Sequence, residues 1–117
     1  MRFAMIRNAI LDKEKSLLEK DLRKKLMPPF VVGARLNGLE LCRKIKNIKE
    51  LDAIIAKRQK EEVKIARKGN VEAYWRHRNA TIEAMKVRKL LDGAINTKAK
   101  VGKRVAKELA EAMGEER

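Results

Sequence analysis

Met27-Pro28-Pro29-Phe30-Val31-Val32-Gly33-Ala34-Arg35-Leu36-Asn37 (residues 27–37) interrupts a chain whose apolar residues otherwise recur at helical spacing, and its reading decides how many helices the fold contains. Pro28 and Pro29 have no backbone N–H and stop a helix arriving from the N-terminal side. Phe30-Val31-Val32-Gly33 is apolar and closed by glycine, which reads as an extended connector tucked against its neighbours. Asn37 followed by Glu40 has the spacing of a capping box, in which each side chain accepts the backbone N–H of the other residue. That pattern predicts a helix beginning at Gly38 or Leu39, and makes 27–37 a linker.

On the N-terminal side, Ile6, Ile10, Leu11, Leu17, Leu18, Leu22 and Leu26 form a broad stripe, with Glu19/Arg23 and Asp21/Lys25 as four-residue charge pairs, predicting a helix over 3–26. On the other side, Leu41, Ile45, Ile48, Leu51, Ile54 and Ile55 line a second helix over 38–68. Its stripe thins beyond Ala56 to Val63, Ile65 and Ala66, so its distal half is expected to project into solvent or along a partner. Lys68-Gly69-Asn70 supplies a glycine to end that helix and an Asn cap to begin a third over 71–92, with Glu72 complementing the dipole. Ala80, Ala84, Val87 and Leu91 form a narrow seam on it.

Asp92-Gly93 and Asn96-Thr97 predict a break, with one helix running through Gly93 as the alternative, followed by a helix over 98–113. In that last segment Gly102, Ala106 and Ala110 repeat every four residues beside Val101, Val105 and Leu109, a smooth row suited to tight packing. The expected fold is a single all-α domain spanning 1–117, with three to four amphipathic helices in an open bundle or helical hairpin. Aromatic residues are 3% of the chain, which makes for a thin aliphatic core, and the third-helix seam needs a cover, so completion by oligomerisation is expected.

Catalysis finds few candidates. One Ser (Ser16), one Cys (Cys42) and one His (His77) leave no triad, and no glycine-rich phosphate loop occurs. His77 lies between Arg76 and Arg78, whose charges disfavour its protonated form. Cys42, beside Leu41 and Ile45, reads as a buried small hydrophobe. Nearly every carboxylate is three or four residues from a Lys or Arg, so solvated ion pairs are expected rather than a metal site. The reading is a non-enzymatic protein with no cofactor and no metal. No apolar run reaches the roughly twenty residues of a membrane span. The N-terminal residues do not resemble a signal peptide, which suggests a cytoplasmic location or one within a nucleoprotein particle.

Thirty Lys and Arg against sixteen Asp and Glu give a formal net charge of +14, and the natural partner is a polyanion. Candidate phosphate contacts are Arg43, Lys44, Lys46 and Lys49 on the second helix, Lys86, Arg88 and Lys89 on the third, and Lys98, Lys100, Lys103 and Arg104 beyond it. Dispersed cations of this kind neutralise backbone charge with little sequence discrimination. Tyr74-Trp75-Arg76-His77-Arg78-Asn79 holds the only Tyr and the only Trp. Trp75 there either stacks on a base, flanked by Arg76 and Arg78, or anchors the core. The position four before Gly93 is Lys89 rather than a small residue, which argues against a helix-turn-helix.

The expected function is sequence-independent nucleic-acid binding, DNA favoured over RNA, in a packaging, coat (viral nucleocapsid) or chromatin-like role. The alternatives are a helical interaction or assembly module docking on an acidic protein, and an RNA-binding ribonucleoprotein component. Uncharged polar residues are scarce, a bias of proteins from hot environments, although the six Asn run against it. In composition and helicity alone, with no alignable motif, the chain resembles small helical coat proteins of filamentous DNA viruses from hot habitats. No family is assigned on that basis.

Overall fold

The structure is a computed structural model and describes residues 3–96. These form four helices and no strand: α1 (Phe3–Arg23), α2 (Pro29–Leu41), α3 (Ile48–Arg67) and α4 (Val71–Asn96). The expected helix over 98–113 and its small-residue row lie outside the described residues.

The expected linker is largely a helix. Pro28, at φ −58° and ψ 142°, caps α2, and Pro29 occupies the first helical position, where a missing N–H costs nothing and the fixed φ is already helical. Pro28 O accepts from Val31 N and Val32 N. The prolines therefore begin a helix as well as ending one. Asn37 is an exposed residue inside α2 rather than a cap. The second expected helix divides at residues 42–47, and one Asn-x-x-Glu further on a cap forms that differs from a capping box in that the Glu reaches back one residue beyond the Asn. Asn47 Oδ1 accepts from Glu50 N at 2.9 Å, while Lys46 N donates to Glu50 Oε1 at 3.0 Å.

The other ends follow from equally local causes. α1 stops at Arg23, short of Leu26, in a Schellman turn: Lys25 takes φ 57°, Lys25 N donates to Leu22 O and Leu26 N to Asp21 O. Gly69, at φ 75°, reverses the chain after α3, and Asn70 Oδ1 accepts from Ala73 N to open α4, as the sequence led one to expect. α4 continues through Gly93, so the alternative of one long helix holds to Asn96.

α4 touches all three other helices, most extensively α2 and α3, and α1 packs on α2 and α4. The core joins Ile6, Ile10, Leu11 and Leu18 of α1 and Val32 and Leu39 of α2 to Leu51 of α3 and Ala84, Val87, Leu91 and Ala94 of α4. Cys42 and Ile45 enter it from the connection after α2. Leu17, Leu22 and Leu26, expected on the buried stripe of α1, are exposed, and Glu14 is buried instead. The α4 seam is covered within the chain. Ala80, Ala84, Val87 and Leu91 are all buried, and Gly38 lies so close to α4 that a Cβ there would stand 2.3 Å from Ala80 O. A second copy is therefore not needed to cover that seam.

Candidate nucleic-acid interface

α3 sorts its charges by side. Its carboxylates turn toward α4 or toward its own first turn: Asp52 Oδ1 lies 2.8 Å from Arg88 Nε, Glu62 Oε2 lies 3.1 Å from Arg78 Nη1, and Glu61 Oε1 lies 3.7 Å from His77 Nε2. Glu50 caps the helix start. Arg58 also points inward, donating to Thr81 Oγ1 at 3.0 Å and to His77 O at 3.3 Å. The opposite face is the row Lys49, Ala53, Ala56, Lys60, Lys64 and Arg67. Steps of three and four residues keep this row on one side of a helix, and every member is exposed.

Lys57 flanks the row, and Lys68 follows it at the helix end. None of these cations has a carboxylate partner among the described residues. From Lys49 to Arg67 the row runs about 27 Å at 1.5 Å per residue. Lys44 and Lys46 are exposed in the connection before α3. Ala53 and Ala56 add no bulk between the cations, so a rod-like polyanion can lie close to the helix.

Five of the cations singled out by sequence already have partners. Arg78 and Arg88 hold the α3 carboxylates, Arg43 pairs with Glu40, Arg76 lies 2.9 Å from Glu72, and Lys86 Nζ lies 2.9 Å from Glu14. Arg76 also stands over the Phe30 ring, 5.3 Å from its centroid. Lys44, Lys46, Lys49 and Lys89 are exposed without such partners among the described residues. The first three are neighbours in the chain, in the connection before α3 and in its first turn. Lys98, Lys100, Lys103 and Arg104 lie outside the described residues.

Trp75 is 48% exposed and is not a core anchor. Tyr74 is half-buried beside it, with ring centroids 5.1 Å apart and planes at 81°. Lys57, Lys60, Lys64 and Arg67 were missed by sequence reasoning because Glu61 and Glu62 sit among them in the chain. A helical projection separating the two signs would have found them.

Comparison with family models, curated proteins and solved structures gives no match.

Buried polar groups occupy other parts of the molecule. Glu83 of α4 is wholly buried, with Glu14 of α1 nearby and Arg35 Nη1 of α2 at 3.6 Å. Burial first, and then Glu14, push the Glu83 carboxyl up, against the opposing pull of Lys86 and Arg35. This pair departs from the expectation that the carboxylates are solvated. The Cys42 thiol donates to Gly38 O at 3.5 Å and is pushed up to about 12 by burial and then by Glu83, which makes it an inert core group.

His77 is held below its ordinary value, as expected, but through burial and Arg58 rather than its chain neighbours Arg76 and Arg78. Among the described residues no three His, Cys, Asp or Glu side chains are grouped to hold a metal, and no helix is long and apolar enough to cross a membrane.

Proposed function

We propose that this chain is a non-enzymatic nucleic-acid-binding protein that engages the phosphate backbone through the outer face of α3, in a packaging or coating role with little sequence preference. The observation that carries the reading is the separation of charge on that helix. Its carboxylates are occupied on the α4 side or at its own start, while Lys49, Lys57, Lys60, Lys64 and Arg67 face solvent. A linear cation row with no carboxylate partner among the described residues suits a partner whose charge repeats along its length, because each neutralised phosphate releases condensed counterions. Apart from Arg67 the row's cations are Lys, whose ammonium is a point charge rather than a planar bidentate donor, which is why discrimination between sequences is expected to be small.

The test is fluorescence anisotropy of labelled duplex DNA and of RNA across a salt series. The logarithm of affinity should fall linearly with the logarithm of salt, by about 0.9 per phosphate contacted on B-form DNA. Replacing Lys57, Lys60, Lys64 and Arg67 together by Gln should weaken binding to all sequences alike and flatten the slope. Replacing Lys13, Lys15, Lys20 and Lys24 of α1 removes the same charge from another face and should have a smaller effect. Equal losses from the two variants would reduce the reading to net charge alone. A flat salt dependence would transfer the row to an acidic protein partner.

A further inference from the structure

The cation row ends beside an aromatic trough. Val63, Ala66, Arg67 and Tyr74 line one depression together with Glu62, and Ala66, Tyr74 and Trp75 line a second with Gly69, Asn70 and Val71. Ala66 and Tyr74 belong to both, so the two adjoin and together make a trough along the tip where α3 turns into α4. The chain reversal at Gly69 creates it by folding the first turn of α4 back beside the last turn of α3.

The trough differs from the rest of the described surface in its exposed ring. It displays the chain's only Trp, 48% exposed, along with Val63 at 51% and Val71 at 67%, in a molecule whose core has almost no rings. The Tyr74 and Trp75 planes stand nearly perpendicular, so the two rings do not cover one another face to face. Both acidic side chains near the trough are compensated, Glu62 by Arg78 and Glu72 by Arg76. The charges at its edge with no carboxylate partner among the described residues are Arg67 within it and Lys60, Lys64 and Lys68 leading to it.

An exposed ring beside a cation track matches the chemistry of an unpaired nucleotide, whose base offers a π face while its phosphates follow the positive charge. A duplex keeps its base faces stacked inside and cannot use the ring. We infer that the α3–α4 trough binds single-stranded nucleic acid, with one unpaired base stacked on Trp75 and the adjoining phosphates held by Arg67, Lys64 and Lys60. The inference rests on the nucleic-acid reading of the α3 row and adds a preference for strands with free bases.

Trp75 is the sole Trp and therefore its own reporter. The full chain is titrated with an unlabelled oligothymidylate and with a duplex of equal length while Trp75 emission is followed, and binding of labelled copies is followed by anisotropy in parallel. The single strand should quench the emission strongly and the duplex only weakly. Trp75→Ala should weaken single-strand binding about tenfold or more and leave duplex binding unchanged. Circular dichroism of the variant should match the parent, because a half-exposed ring supports little packing.

Salt-dependent duplex binding, combined with a Trp75 that neither quenches nor matters to single-strand affinity, would overturn the trough and leave the backbone reading standing. Absence of binding to both nucleic acids would overturn both.

Discussion

Helices α2 and α3 are joined by a short connection and solve opposite problems. α2 carries Arg35 and Glu40 as its only charged residues and buries Val32, Ala34, Gly38 and Leu39. α3 buries Leu51 alone and carries charge along most of its length. The first is read by what it touches, the second by what it leaves untouched. Folding energy is therefore expected to concentrate in α2 and its contact with α4, and binding in the face of α3 that contributes least to the fold.

The largest effects should come from α2, among them that of Gly38→Val. The added Cβ would meet the backbone oxygen of Ala80 at 2.3 Å and the Cβ of Glu83 at 2.9 Å, and neither is the yielding end of a flexible side chain. α2 must then move off α4, at a cost of about 3 kcal/mol in urea unfolding. At Gly33 a Cβ would meet nothing within 4 Å, so Gly33→Ala should instead stabilise by about 0.5 to 1 kcal/mol. Similar losses at the two glycines would break the assignment of α2 as the packed helix.

A comparable pair contrasts Leu39 of α2 with Val63 of α3. Leu39 is 1% exposed, and Leu39→Ala should cost about 2 to 5 kcal/mol. Val63 is 51% exposed, and Val63→Ala should change stability by no more than about 0.5 kcal/mol.

An intermediate effect should appear as pH dependence where α2 faces α4. The Glu83 carboxyl is raised from 4.5 to about 7 by burial and by Glu14, with Arg35 and Lys86 acting against the shift. In that interval the folded chain binds more protons at this site than the unfolded chain does. The contribution of Glu83 is thus complete below about 4.5 and is lost as pH rises through about 7. Unfolding free energy measured across this window should fall with rising pH from this group, and Glu83→Gln should flatten the fall. A variant that keeps the parent's profile would remove Glu83 as its source.

The smallest effect on stability should come from the outer face of α3. Each of Lys57→Gln, Lys60→Gln, Lys64→Gln and Arg67→Gln should shift unfolding by no more than about 0.5 kcal/mol, while the combined variant loses nucleic-acid affinity. Marked unfolding of the combined variant would show that the row supports the fold.

The two helices also differed in legibility. α3 has caps, a glycine stop and an apolar face interrupted by charge, so residues 48–67 fall inside a helix foreseen from spacing alone. α2 has too few polar residues to display a period, and its prolines and β-branched pair carry the local signals of a connector. Contact with α1 and α4 made it helical, as tertiary packing overrides weak local preference. The same contact covered Ala80, Ala84, Val87 and Leu91, which from sequence looked like an interface awaiting another copy.

All-helical character, the turn at Gly69 and Asn70 and the excess of positive charge were set by the order of residues, because caps, helical periodicity and net charge are local or additive. Which cations stayed free was a tertiary matter. In the chain Arg78 and Arg88 look more available than Lys60 and Arg67, which stand on either side of Glu61 and Glu62. Only the packing of α3 on α4 assigns Glu62 and Asp52 to the first two, since an ion pair between separate helices depends on which faces meet. Trp75 was decided the same way: its type suits a core or a stacking surface equally, and the turn after α3 left it at the rim, half in solvent.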